Sequence, residues 1–402
     1  MPNTDFAIIG AGIQGASLAY HLQKSGAGRV TLFERDHPAS GATGYSAALV
    51  RMYYDNEVEA RLAFAGYSFF ANWADVIGGD CGFRPIGVLW MKGTDKADEL
   101  RAGIAMQQRI GVNTSFITPD QIKEQFPYVN VDGIAGGAFE PESGFADPAA
   151  TATSMVEAAK ALGCDVRLSS RVTSLTREGD RITGFVMNGE QWTAGLTIVA
   201  AGSWTAKLCE TAGIFVPLRP HRLPAGFIHR PSDLPAHTVM VDESLPMWFR
   251  PDLGDRTMLG AEFEPNPYGY DPDEFWPPAN PESLVVSASI AAKRVPAYER
   301  ATLGRSWCGI DGFTPDGQQI IGAVPGVEGL QLLCGGNGHG FKVGPAIGKA
   351  LAEMITTGST QITDMSQFDY ARFGGQTEFD SWPGEDGMNL GSHVREIRPT
   401  SQ

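Results

Sequence analysis

The chain has 402 residues, 43% of them hydrophobic and 19% charged, ordinary globular usage that excludes a disordered chain. A formal net charge of −15, with no Lys/Arg cluster, argues against nucleic acid or an anionic membrane surface as partner. The 49 glycines and 26 prolines predict many tight turns and sites walled by backbone.

The first residues, MPNTDFAIIGAGIQG, carry Asp5 ahead of a short apolar run instead of a basic leader. No apolar run is long enough to span a bilayer, so a cytoplasmic protein is expected. Phe6–Ile9 reads as a buried parallel strand ending at Gly10. Residues 13–24 follow with helical spacing, and Gly26 and Gly28 close that helix. Val30–Phe33 is a second strand, ending at Glu34.

Between the strands lies Gly10-x-Gly12-x-x-Gly15. The first glycine permits a tight turn, the second lets a pyrophosphate approach the backbone, and the third lets helix and strand pack closely. Free amides at the helix start then face phosphate. Glu34 follows about 20 residues later, where a carboxylate holds ribose hydroxyls. Strand, helix, second strand and acid in register predict dinucleotide binding. The competing reading is a glycine loop used only for packing.

Farther along, Gly87–Trp90 is strand-like and residues 96–110 read as a polar helix. Asp147-Pro148 opens an alanine-rich helix ending near Gly163. Asp165–Leu168, Arg171–Leu175 and Leu196–Ala201 read as strands. Residues 216–305 hold many prolines and the adjacent Trp248 and Phe249, which predicts antiparallel strands and turns. Leu330–Leu333 leads into Cys334-Gly335-Gly336-Asn337-Gly338-His339-Gly340-Phe341-Lys342 and then an apolar helix. This second strand–turn–helix offers amide donors to an anion or a flavin carbonyl. The sequence after Gly375 is polar and reads as a tail. The five cysteines are scattered with no metal-like spacing, which fits a reducing compartment and no metal site.

Here the chain resembles the FAD-dependent amine oxidases of the glycine, sarcosine and D-amino-acid oxidase family over about residues 4–360. The blocks that carry the resemblance are Ile8–Gly15, Glu34 with Ser40–Thr43 and Val50-Arg51, Gly144–Pro148, Val199–Trp204, and Thr314–Gly317 followed by Gly338–Lys342. The resemblance implies an α/β fold with an antiparallel sheet. A Rossmann-like FAD-binding domain of the glutathione-reductase type would comprise residues 1–80, 140–215 and 306–365. A substrate domain of mixed or antiparallel sheet would comprise 81–139 and 216–305, with 366–402 as a C-terminal tail.

By family position, FAD would be held by Gly10, Gly12, Ile13, Gln14, Gly15, Glu34, Arg35 and Ser40. Thr43, Ala48 and Leu49 would line the flavin side, Val172 and Gly202 would touch the cofactor, and Gly338, His339, Gly340, Phe341 and Lys342 would run beneath the flavin ring. Arg51 and Lys342 look like the positions where sarcosine-oxidase-type enzymes put cations against the substrate carboxylate. A carboxylate leaving water needs opposite charge and donors. The competing readings are a solvated or flavin-packing Arg51 and a surface Lys342, although a lysine in a first helical turn is electrostatically poor. Tyr53 and Tyr54 read as core aromatics or cavity walls, and His339 as a histidine bonded to backbone or touching the flavin. No acid–base catalyst is assigned.

Two departures from the family pattern stand out. Some relatives attach FAD through a cysteine before the Thr-Pro-Asp block; Cys308 lies one residue out of place, so non-covalent FAD is expected. Sarcosine-oxidase-type enzymes also carry a lysine before a Leu-Gly pair that promotes reaction with oxygen. That place is Met258 here, with Arg256 a candidate substitute charge. The implied activity is oxidation of a small, carboxylate-bearing amino acid or N-alkyl amino acid to an imine, by oxygen or another redox partner. A D-amino-acid or proline-type dehydrogenase, 2-hydroxy acid oxidation, and a flavin-binding subunit without turnover remain open.

Overall fold

The apolar run after Asn3 forms the strand Asn3–Ile9 at the centre of a parallel sheet. It pairs with Val30–Phe33 on one side and with Glu190–Val199 on the other. Asp165–Arg167 and Val327–Cys334 extend the parallel set outward. Ile320–Val324, Arg181–Met187 and Val172–Glu178 add antiparallel strands, making eight. Sequence from three distant regions therefore meets in one sheet. The computed structural model describes residues 1–261, 270–379 and 382.

Three helices share one core against this sheet: Ile13–Ser25, Pro148–Ala161 and Gly340–Thr357. Their small residues permit close approach. A Cβ at Gly348 would stand 2.3 Å from Ser17 Oγ, and Ser17 Oγ donates to the Pro345 carbonyl at 2.9 Å. Asp147 caps its helix by accepting from the Ala150 amide at 2.9 Å, with Pro148 in the first turn.

A second eight-stranded sheet runs in the order Thr302–Phe313, Arg219–His229, Arg256–Ala261, Met247–Pro251, Val239–Asp242, Val88–Gly93, Ile134–Glu140, Ser115–Ile117. It is antiparallel except where Val239–Asp242 meets Val88–Gly93. The fold is thus the expected α/β layer with a mixed, largely antiparallel second sheet. A short ribbon of Leu49–Val50 and Gly144–Phe145 lies apart from both.

Three features differ from the reading in sequence. Pro281–Arg294 is a helix inside the stretch expected to hold only strands and turns. Its proline suggested a turn but stands in the first helical turn, where its missing N–H costs nothing, and Asn280 caps it through the Glu282 amide. The strand Thr302–Phe313 stays paired with Arg219–His229 up to Phe313, past the boundary drawn at 306. Residues 366–373 of the expected tail form two short 3₁₀ turns that bury Phe368 and Phe373, and Arg372 bonds Asp316 at 2.6 Å. Residues 380–381 and 383–402 of that tail lie outside the described residues. Among the described residues no helix is long and apolar enough to cross a membrane.

Candidate active site

Residues from both sheets line one cavity of about 440 Å³. At one end the N-terminal glycines divide their work. Gly10 has φ +112° and a Cβ there would stand 2.4 Å from the Ala200 carbonyl oxygen; at Gly15 it would stand 2.0 Å from the Gly10 oxygen. Both positions are closed by backbone. A Cβ at Gly12 would meet only Thr43 Oγ1, at 3.2 Å, so this glycine keeps the cavity face open. No side chain caps the helix at Gly12, while the Ile13 amide donates to Thr43 Oγ1 at 3.1 Å.

Glu34, at the end of the second strand, is buried. It accepts from the Ala11 amide at 2.8 Å, the Asp36 amide at 2.9 Å and Ser40 Oγ at 3.1 Å. Arg35 lies 4.5 Å from the centre of the Trp204 ring. Gln14, Val172 and Gly202 also line the cavity. Asp273 closes over it, bonded to Trp204 Nε1 at 3.0 Å, Lys207 at 2.7 Å and Arg171 at 3.0 Å.

The glycine turn before the Gly340–Thr357 helix is braced from outside. Asn337 accepts from the Thr314 amide at 2.9 Å and Asp311 from the Gly338 amide at 2.8 Å. The Thr-Pro-Asp block is therefore a scaffold for the turn: Thr314 and Asp316 bond Gln318 and Arg372 behind it. Gly338, His339, Gly340, Phe341 and Lys342 all reach the cavity wall.

Beyond the turn, Arg51 and Lys342 are each only 4% exposed, which removes the solvated and surface readings of both. Arg51 donates to the Tyr53 carbonyl and packs its guanidinium between Tyr54 at 4.4 Å and Trp90 at 4.3 Å. Lys342 Nζ stands 5.0 Å from the centre of the same Tyr54 ring and donates to the His339 carbonyl at 3.1 Å. One buried tyrosine thus joins two basic groups, and its π face favours positive charge on either. Burial, then repulsion by Arg51, holds Lys342 well below its usual range. Burial and the same two cations hold His339 neutral-favouring, well below 6.5. Tyr54 Oη lies 3.3 Å from His339 Nδ1.

Two carboxyl groups stand behind the cations. Glu140 accepts from the Met52 amide at 2.9 Å and Ser143 Oγ at 2.6 Å, and burial raises its pKa. Glu59 is 5% exposed, and burial pushes it up to about 7 against the opposing pull of Gln318, Lys342 and Arg51.

Residues 5–354 match the family described as DAO, FAD dependent oxidoreductase. The chain belongs to this family. It is 31% identical over 381 residues to the 4-methylaminobutanoate oxidase (formaldehyde-forming) of Paenarthrobacter nicotinovorans, covering 92% of this chain and 45% of that protein. It is 27% identical to the mitochondrial sarcosine dehydrogenase of Mus musculus, covering 93% of this chain and 42% of that one. The chain therefore spans less than half the length of these two relatives. In fold it matches L-proline dehydrogenase from P. horikoshii with a TM-score of 0.85 at 24% identity, covering 93% of this chain and 99% of that one.

The cofactor of the family is FAD, and the cavity fits it. The open face at Gly12 and the helix amides suit a pyrophosphate, the Glu34 carboxylate suits ribose hydroxyls, and the amide-rich turn at 335–338 suits a flavin edge.

Two expected positions, Ala48 and Arg256, need correction. Ala48 does not line the cavity; with φ +52° the chain turns there and its methyl is fully buried in the core, leaving Ala47 and Leu49 on the wall. Cys308 is buried off the wall, whereas its neighbour Gly309 lies on it; successive side chains on a strand point to opposite faces. Met258 shares a strand face with the wall residue Gly260 but is buried outside the lining. Arg256 is also off the wall, paired with Asp252 at 3.3 Å. The cation beside Met258 in register is Arg250, which donates to the carbonyl of Ala47 at 2.9 Å. Trp90, Trp248, Asp273, Lys207 and Arg171 line the cavity without having been foreseen. Their contacts join distant segments, and no local motif announces them.

Proposed function

We propose that this protein oxidises the C–N bond of a small amino acid or N-alkyl amino acid to an imine. When bound, FAD accepts the two electrons of that oxidation. Arg51 and Lys342 anchor the substrate carboxylate, Arg through a planar fork and Lys through a compact head. The observation that carries the reading is this pair of buried basic side chains, joined by Tyr54, in the cavity that fits the cofactor. Trp90 and Trp248 close that region with apolar surface, which strengthens every charge inside it.

Two relatives bear the names of N-methylated substrates, 4-methylaminobutanoate and sarcosine. Their names support a secondary amine carrying a carboxylate as the substrate class. The scattered cysteines support a reducing, cytoplasmic setting. The strand Arg256–Ala261, which reaches the cavity at Gly260, carries no lysine, and this favours a second reading for the acceptor: a redox partner other than oxygen.

The test is an anaerobic panel of glycine, sarcosine, proline and N-methylamino acids of increasing length, with flavin bleaching as the signal. Bleaching by at least one of them supports the proposal, and a flavin left oxidised by the whole panel refutes it. Peroxide yield with and without an artificial dye then separates oxygen from another acceptor.

A further inference from the structure

An amino acid reaches the enzyme as a zwitterion, and its nitrogen must shed a proton before the C–N bond is oxidised. Among the described residues the histidine on the cavity wall is His339, and it does not serve this purpose: it faces Arg51 and Lys342, and its Nδ1 is engaged with Tyr54. The group with room for a proton is the lysine of the site, whose amine has a free lone pair when uncharged.

Lys342 lies in the first turn of the Gly340–Thr357 helix, where the backbone field opposes positive charge. It is 4% exposed and shares the Tyr54 ring with Arg51. Burial and Arg51 together favour its uncharged amine. The charged groups that face it are Arg51 from the segment after Leu49–Val50, Glu59 from the Glu57–Ala71 helix, and Glu140 from Ile134–Glu140. The polar neighbours are Tyr54 and His339.

Both acids keep one buried oxygen without a hydrogen bond, Oε1 of Glu140 and Oε2 of Glu59; Glu140 is held by the Met52 amide and Ser143 through its other oxygen, and Glu59 acts more strongly on Lys342. Glu59 accepts only a 3.4 Å bond from Gln318 Nε2 at Oε1, and its buried Oε2 has no partner. Its helix is fixed against Lys342, because a Cβ at Gly66 would stand 2.2 Å from the Lys342 carbonyl oxygen. Gly66 lies two turns beyond Glu59 on the same helix face.

Resting on the proposed amine oxidation, we propose that Lys342 enters the reaction uncharged and accepts the substrate ammonium proton, with Glu59 as the positioning residue that steadies the charge it gains. The substrate N–H bond breaks and leaves its electron pair on nitrogen, and the Lys342 lone pair forms the new N–H bond. Total charge is unchanged. The substrate carboxylate favours the transfer, because it attracts the ammonium that forms on Lys342. Lys342 is thus both anchor and base.

The experiment compares Lys342→Arg, Lys342→Met and Glu59→Gln with wild type in anaerobic stopped-flow flavin reduction, from about pH 5.5 to about pH 10. The probe is whichever panel amino acid bleaches wild type. Arginine keeps the anchor but stays protonated in proteins, so Lys342→Arg is expected to bind the probe within a few-fold of wild type. Its limiting reduction rate at neutral pH is expected to fall about 100-fold and to recover only as pH nears the substrate's own ammonium range. Lys342→Met loses rate in the same way and binding as well. Glu59→Gln removes the counter-charge and moves the acid limb of the profile to lower pH. A Lys342→Arg enzyme with the wild-type rate and profile overturns the proposal, as does an unmoved limb in Glu59→Gln.

A readout without turnover separates this inference from the function it rests on. In ¹⁵Nζ-lysine NMR of the FAD-loaded protein, wild type is expected to show one uncharged amine near neutral pH that disappears in Lys342→Met. If every lysine is charged there, the inference fails even where amino acids bleach the flavin. If the amine resonance is present and no panel member bleaches, the proposed function alone fails.

Discussion

Replacing Lys342 by methionine is expected to make the protein more stable and worse at binding. The side chain is 4% exposed and its amine has one hydrogen bond, to the His339 carbonyl at 3.1 Å. Methionine fills nearly the same length with no group to desolvate. Burying an amine whose charge the site opposes costs about 1–3 kcal/mol, as for an incompletely bonded polar group, and methionine removes that cost, a rise of a few degrees in Tm. The same exchange removes a charge-assisted contact to the substrate carboxylate, worth about 1.5–3 kcal/mol. At about 1.4 kcal/mol per decade, substrate Kd rises roughly 10- to 100-fold.

The sign of the pH dependence gives this prediction a fingerprint. Lys342 is held below its unfolded value of 10.5. Between its folded value and about 10.5 the unfolded chain binds more protons than the native one, so wild-type stability rises with pH in that window. Glu59 runs the opposite way. It is held above its unfolded value, at about 7, chiefly by burial. The native variant therefore retains a proton that the unfolded chain releases, and its stability falls with pH through that range. The advantage of Lys342→Met is largest near neutrality and narrows toward pH 10. Urea unfolding of both FAD-loaded proteins at several pH values measures the stability difference, and anaerobic titration measures Kd. A variant that is less stable at neutral pH and binds the probe unchanged would refute both the buried-charge argument and the clamp.

Three further outcomes bear on the cofactor. Glu34→Ala removes the acceptor of the Ala11 and Asp36 amides and is expected to weaken FAD binding about 10- to 100-fold, measured by flavin fluorescence quenching on titrating apoprotein. Asp273→Asn weakens the ties to Lys207 and Arg171; these are partly exposed pairs worth under about 1 kcal/mol each, so FAD release on dilution should quicken a few-fold and lose most of its salt dependence. Identical release rates in low and high salt for both proteins would contradict that role. Cys308→Ser should leave flavin content unchanged, and acid precipitation should free all the yellow colour from both proteins; colour left in the wild-type pellet alone would mean a thioether.

The parts of the site legible in the sequence are those whose chemistry is local. Gly10, Gly12 and Gly15 announce themselves because a turn, an open backbone and a close helix–strand contact each exclude a side chain within a few residues of one another. The strand and acid that follow are fixed by the same short unit. The Pro281–Arg294 helix was hidden by the double meaning of proline, which starts helices as readily as it makes turns. Cys308 and Gly309 show a different limit, since a one-residue difference decides which side chain faces the cavity and the strand register rests on distant Leu223 and Pro224.

Glu59 marks where sequence reading ends. In the chain it is one acid in the first turn of an amphipathic helix, a position where acids favour helix formation and usually meet water. What makes it unusual is set from outside its helix. Gly66 lets the Lys342 backbone into contact, Gln318 offers only one long hydrogen bond, and Arg51 arrives on another segment. A carboxyl so placed gains its charge only in step with the cation it faces. The pair should therefore titrate as a unit, and replacing either member should move the proton on the other.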